Sequence, residues 1–213
     1  MRSLFILWFV CLVGLPGQAQ TFKQEVWYDG TVLLDTEDSL KGSIRFDLND
    51  NLLELRTFES VKAYSARKII SFSIYDAIHE TTRHFYTLPY SATSAYKVPF
   101  FFELLTQGDI TLLCREKLET VSVPNYNAGP YGMGYGMGRP AYNTTRTRIV
   151  FDYFFGYPTG NIKRFMGNKK DFFYLVKDHQ EDIKGFVKEG RLDFDNREDL
   201  IKIITYYNYL KGK

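Results

Sequence analysis

Two short stretches hold the residues best suited, by type and spacing, to do chemistry. His79-Glu80-Thr81-Thr82-Arg83-His84 comes within one residue of the helical zinc pattern, in which two histidines four apart hold the metal and a glutamate acts as base. Here the histidines are five apart. That spacing turns them about 140° from each other on a helix and onto opposite faces of a strand, so the expectation is solvated edge residues and no metal. The second stretch, Asp193, Asp195, Asn196, Glu198 and Asp199, has the carboxylate density of a calcium loop. Arg197 stands at its fifth position and the glycine required at the sixth is missing. Helix capping accounts for the same residues.

The sequence has no Gly-x-Ser-x-Gly elbow, phosphate-binding glycine loop or dinucleotide fingerprint, and only 3 histidines. What remains for catalysis is a set of carboxylates, such as Asp47, Glu54 and Asp152, that a fold would have to assemble in space, as glycoside hydrolases do. The sequence therefore nominates no catalytic residue, no metal ligand and no cofactor. An enzyme is the less expected reading.

A different chemistry is offered by Pro124 to Tyr142, where Tyr131-Gly132-Met133-Gly134 is repeated as Tyr135-Gly136-Met137-Gly138. Glycine of this density gives the backbone a large entropy to lose, and the tyrosines show no period with which to bury themselves. The expectation is a flexible loop over 124–142. Tyr126, Tyr131, Tyr135 and Tyr142 would be its ligand-binding residues, stacking on sugar rings. Strand-like patterns over Leu118 to Val123 and Thr145 to Phe155 make the tract an excursion between neighbouring strands, held at both ends by a sheet.

The elements that must position these residues follow from pattern. From Glu25 to Val123 the period is two: Ile44, Phe46 and Leu48 alternate with polar residues, Asn49-Asp50-Asn51 makes a turn, and Leu53 and Leu55 return. Asp29-Gly30 reads as a bulge within one long strand, and Gly108 as a turn glycine needing positive φ. Alternation resumes at Ile149 to Phe155 and Ile162 to Phe165. Helices begin near Asn168, with capping boxes expected at Asp178/Glu181 and Asp195/Glu198. Leu200, Ile203, Ile204 and Tyr207 form a stripe that must be buried. The fold class expected is α+β: a mainly antiparallel β sandwich or barrel-like body over 20–166, with a small helical tail over 167–213 packed on it.

Composition bounds the rest. The 213 residues, 45% hydrophobic and 24% charged, suit one sizeable core. Lys and Arg total 27 against 25 Asp and Glu, interleaved, which argues against nucleic acid as partner. Met1-Arg2, the apolar run Leu4 to Leu15 and Pro16-Gly17-Gln18-Ala19 read as a signal peptide over 1–19. The run is shorter than the about 20 residues a bilayer requires, so no stable transmembrane span is expected after cleavage. Cys11 lies mid-run, away from a lipidation position, and cleavage leaves Cys114 alone, so no internal disulfide forms. Its apolar strand setting makes Cys114 a small hydrophobe.

Trp27-Tyr28-Asp29-Gly30-Thr31-Val32, Lys41-Gly42-Ser43-Ile44, Tyr64-Ser65-Ala66-Arg67-Lys68-Ile69, Phe101-Phe102-Glu103-Leu104-Leu105, Leu112-Leu113-Cys114-Arg115-Glu116 and the tail from Asp199-Leu200-Ile201 to Tyr206-Tyr207-Asn208 resemble uncharacterised exported β-rich proteins of Bacteroidota-type bacteria. The resemblance implies a Gram-negative envelope location and no assigned activity. The resulting expectation is an exported, non-enzymatic binding or structural module, in the periplasm or at the outer membrane, with an envelope protein or a glycan as partner.

Overall fold

The computed structural model describes residues 26–92, 95–124 and 143–212. Alternating sequence becomes ten strands: β1 Tyr28–Leu34, β2 Ser39–Asp47, β3 Leu52–Arg56, β4 Val61–Ser65, β5 Ile69–Asp76, β6 Thr81–Tyr90, β7 Val98–Thr106, β8 Thr111–Pro124, β9 Asn143–Gly156 and β10 Ile162–Phe165. They form one antiparallel sheet in the order β10-β9-β8-β7-β6-β5-β1-β2-β3-β4. Three helices follow: α1 Lys169–Leu175, α2 Gln180–Gly190 and α3 Arg197–Lys211. The protein is thus a mainly antiparallel α+β fold with a small C-terminal helical part, and among the described residues no helix is long and apolar enough to cross a membrane.

Among the described residues β10 and β4 end the sheet, yet it cannot be flat. β4 and β5 are separated in it by β3, β2 and β1, a span of about 19 Å at the usual strand spacing. The chain from Ser65 to Ile69 contains only the 3₁₀ turn Ala66–Lys68, and four residue steps reach at most about 14 Å. Strands β1 to β5 therefore curl into a barrel-like half. Ring contacts confirm the curl: Phe46 on β2 lies 5.0 Å from Phe85 on β6, which is three strands away in the sheet. Val32, Ile44, Leu53, Leu55, Ile69, Phe72 and Ile74 fill this half, reached from β7 by Phe101.

The curl brings the β2–β3 turn against β7 and β8. These two strands pair from Glu103↔Cys114 to Thr106↔Leu112 and part beyond that. In the gap, Asn51 Oδ1 accepts from Phe101 N (3.1 Å) and from Arg115 Nη1 (3.0 Å). Arg115 also donates to Phe101 O at 2.7 Å and to Leu48 O, and lies 4.7 Å from the Phe100 ring centre. Asn51 takes the left-handed φ of +52°, which asparagine tolerates, and its own carbonyl accepts from Ala66 N.

On β8 and β9 the same sheet face receives the helices. Leu112, Cys114, Tyr153 and Phe155 form one cluster with Phe172, Ile183, Phe194 and the α3 stripe Leu200, Ile203, Ile204 and Tyr207. Asn208 fixes α3 to the β7–β8 turn by bonding both backbone groups of Ile110 (3.0 and 2.8 Å). This contact explains Gly108, where the sequence suggests a positive φ: a Cβ there would come within 2.4 Å of the Asn208 side chain. Gly30 is likewise no bulge. β1 runs through it, the register shift falls at Leu33/Leu34, and a Cβ at Gly30 would stand 2.2 Å from Ser73 O.

Neither expected capping box forms. Asn168 caps α1 through Lys170 N and Asn196 caps α3 through Asp199 N. Asp178 is drawn instead to Lys211, 2.9 Å away, a tertiary partner that outcompetes a local one.

Candidate functional site

The first concentration of ionisable groups is buried between the two main apolar clusters. Glu103 on β7 is 3% exposed and takes both arginines in two-pronged fashion. Arg83 on β6 donates to Oε1 and Oε2 (2.9 Å each), and Arg197 at the start of α3 does the same (2.6 and 3.1 Å). Arg83 reaches on to Glu116 at 3.0 Å, and Arg197 to Cys114 Sγ at 3.6 Å. Burial raises the Glu103 pKa, but the bonds from Arg83 and Arg197 outweigh it and hold the carboxyl below its ordinary range.

A cation at the first residue of a helix opposes the helix dipole, so the carboxylate is what makes Arg197 tolerable there. The residue that spoils the calcium pattern ties the start of α3 to β7. Neither the carboxylate, with its oxygens occupied, nor the neighbouring thiol is set up for proton transfer. Burial pushes the Cys114 thiol far up and Tyr153 up to about 12. A disulfide-exchange reagent should therefore label Cys114 only after denaturant is added. Rapid labelling of the folded protein at neutral pH would show that the thiol is exposed or activated.

The carboxylates considered for hydrolysis are each engaged separately. Asp47 accepts from Asn49 N (2.8 Å) and Asp50 N (3.2 Å) in the β2–β3 turn, Glu54 pairs with Arg45, and Asp152 pairs with Lys117 (3.3 Å) and Arg164 (2.6 Å). Asp47 also lines a cavity of about 20 Å³ with Glu116 and Lys117, room for a single water. His79 sits in the β5–β6 turn on Asp76 (2.9 Å), and His84 lies on β6. The leader at 1–19 and the tract beyond Pro124, with its Tyr126, Tyr131, Tyr135 and Tyr142, lie outside the described residues. What the structure does show is that β8 and β9 pair continuously out to Pro124↔Asn143, the two residues the tract joins.

A second site was not legible in the sequence. Between β10, at one edge of the sheet, and α1 lies a groove of about 370 Å³. Phe155, Phe165, Tyr157 and Leu175 line it, with Tyr174 and Met166 exposed at 77% and 73%. Lys163, Arg164 and Lys177 give it a positive lining against the single acid Asp171. The local causes are plain. Gly160 and Gly167, both at positive φ, end the β9–β10 hairpin and the strand, and the Asn168 cap starts a helix whose Phe172 anchors in the core, holding α1 beside the strand. The hint in the sequence was a four-residue strand with two cations between apolar ends, followed closely by a capped helix, but only sheet order shows that the strand is an edge.

Comparison with protein-family models, curated proteins and solved structures returns no match to this chain.

Proposed function

We propose that this protein is a non-enzymatic, exported module of the cell envelope, periplasmic or outer-membrane associated, that works by binding. The supporting observation is the groove between β10 and α1: concave, aromatic, partly exposed, and edged by cations. The leader-like residues 1–19 support the location. A second reading, a glycan-binding surface on the Tyr/Gly/Met tract, draws on the paired ends of β8 and β9, which hold the tract's two attachment points.

The 4 methionines separate the two readings. Met166 lines the groove, Met133 and Met137 belong to the tract, and Met1 leaves with the leader. With ¹³C-methyl methionine, p-cresol and indole are expected to shift the Met166 signal first. Oligosaccharides that move Met133 and Met137 while Met166 stays still would transfer the function to the tract. An unresponsive Met166 would sink the groove. Fractionation of a Gram-negative host should find the chain, shortened after Ala19, outside the cytoplasm.

A further inference from the structure

Resting on that reading of the groove, we infer that its ligand is an extended acidic polypeptide that adds to the sheet as a strand beside β10. The argument starts with the free backbone. Among the described residues β10 pairs only with β9. Tyr157 N donates to Asn161 O at 2.9 Å, which marks Tyr157–Asn161 as a hydrogen-bonded pair. Alternation along an antiparallel ladder then points the main-chain groups of Lys163 and Phe165 at β9 and those of Ile162 and Arg164 outward. Two N–H and two C=O groups thus face the open edge, the arrangement that captures a strand.

Charge selects the occupant. Of the groove's charged residues, Lys163, Arg164 and Lys177 are basic and Asp171 alone is acidic. Asp171 is bonded by Asn168 Nδ2 (3.2 Å) and Arg164 by Asp152, while Lys163 and Lys177 have no ion-pair partner among the described residues. A second copy is disfavoured as occupant. The antiparallel registers in which β10 overlaps its own copy most fully centre on Lys163 or on Arg164 and set that cation directly against itself, and like charges directly opposite destabilise a pair. A partner strand alternating acidic with apolar or aromatic residues meets both demands, its apolar side chains entering beside Phe165 and Tyr174.

The test uses the mature chain and a fluorescein-labelled short peptide alternating Glu with Val and Phe. Controls are its Lys counterpart and a copy with alternate backbone amides N-methylated. The acidic peptide should bind, and the N-methylated copy at least about tenfold more weakly, the loss of a backbone hydrogen bond's worth of free energy. Arg164→Pro removes one outward N–H, at a strand position where proline is tolerated. It should weaken binding beyond Arg164→Ala, which removes only the charge. Lys163→Glu with Lys177→Glu should make the protein prefer the Lys peptide, an inversion that misfolding cannot mimic. Equal binding of the N-methylated copy, indifference to charge reversal, a dimer formed through β10, or no binding of the acidic peptide would overturn the inference. In the last case a Met166 that still responds to p-cresol would leave the groove standing as a site for another ligand.

Discussion

Replacing Glu103 by alanine is expected to cost about 3–5 kcal/mol of folding stability, the range for breaking a buried ion pair and stranding its partner. Here two guanidinium groups, Arg83 and Arg197, lose their shared carboxylate in a site where side chains are 13% and 22% exposed. Urea unfolding followed by circular dichroism reads the loss directly. The second arm of the test replaces the whole network, Arg83→Met with Glu103→Leu, Arg197→Met and Glu116→Gln, since Arg83 also holds the buried Glu116. This fourfold change should recover most of the loss, because it removes the desolvation cost together with the attraction. A Glu103→Ala protein within about 1 kcal/mol of the parent would mean that water reaches the cluster.

The same group sets an acid limit. The folded Glu103 carboxyl is held below its ordinary value, burial being outweighed by the bonds from Arg83 and Arg197. In the unfolded chain it titrates near about 4.3. A depressed acid contributes stability that is fully present above the unfolded pKa and is lost as pH falls through the folded one. Stability should therefore drop below about pH 4, and Glu103→Gln should flatten that drop while lowering the plateau at neutral pH.

The second large effect is expected at Arg115. Burial without a carboxylate partner lowers its pKa to about 10, leaving it charged at neutral pH. Its work is to supply donors to Leu48 O, Phe101 O and Asn51 Oδ1 where β7 and β8 part. Arg115→Met keeps much of the side chain's length beside the Phe100 ring but removes the guanidinium and leaves these acceptors short of donors. At about 1–3 kcal/mol for each buried group left unsatisfied, relaxation included, a loss of about 2–4 kcal/mol is expected. Arg115→Lys should recover only part, since a point charge cannot span acceptors that a planar fork reaches together. Amide exchange locates the effect: Phe101 and Ala66, both bonded to Asn51, should lose protection before the β8–β9 ladder does. Unchanged protection at these two amides would show that the curl of the sheet does not depend on Arg115.

The elements themselves were readable in the sequence because local burial leaves a local period. Ile44, Phe46 and Leu48 had to share a face, and Leu200, Ile203, Ile204 and Tyr207 had to be covered, whatever covered them. Cys114 was legible for the same reason: an apolar strand setting implies a buried, inert thiol. Arg197 and Gly108 were not. Each was assigned a local role, a misfit in a calcium loop or a turn glycine, whereas its partner is remote. Arg197 meets Glu103 across 94 positions, and Gly108 clears space for Asn208.

The sequence by itself thus determined most of the strands and helices and the apolar side of each, since periods of 2 and 3.6 residues record burial one element at a time, while the exposed β4 left no such record. Only the tertiary structure decided the order of strands, the curl that brings Asn51 to Arg115, the partners of Glu103, and the fact that β10 is an edge beside α1. Pairing depends on which alternating strands meet once the chain closes its loops, and many arrangements satisfy the same alternation. An edge is defined by the absence of a neighbour, and no residue of β10 carries that information.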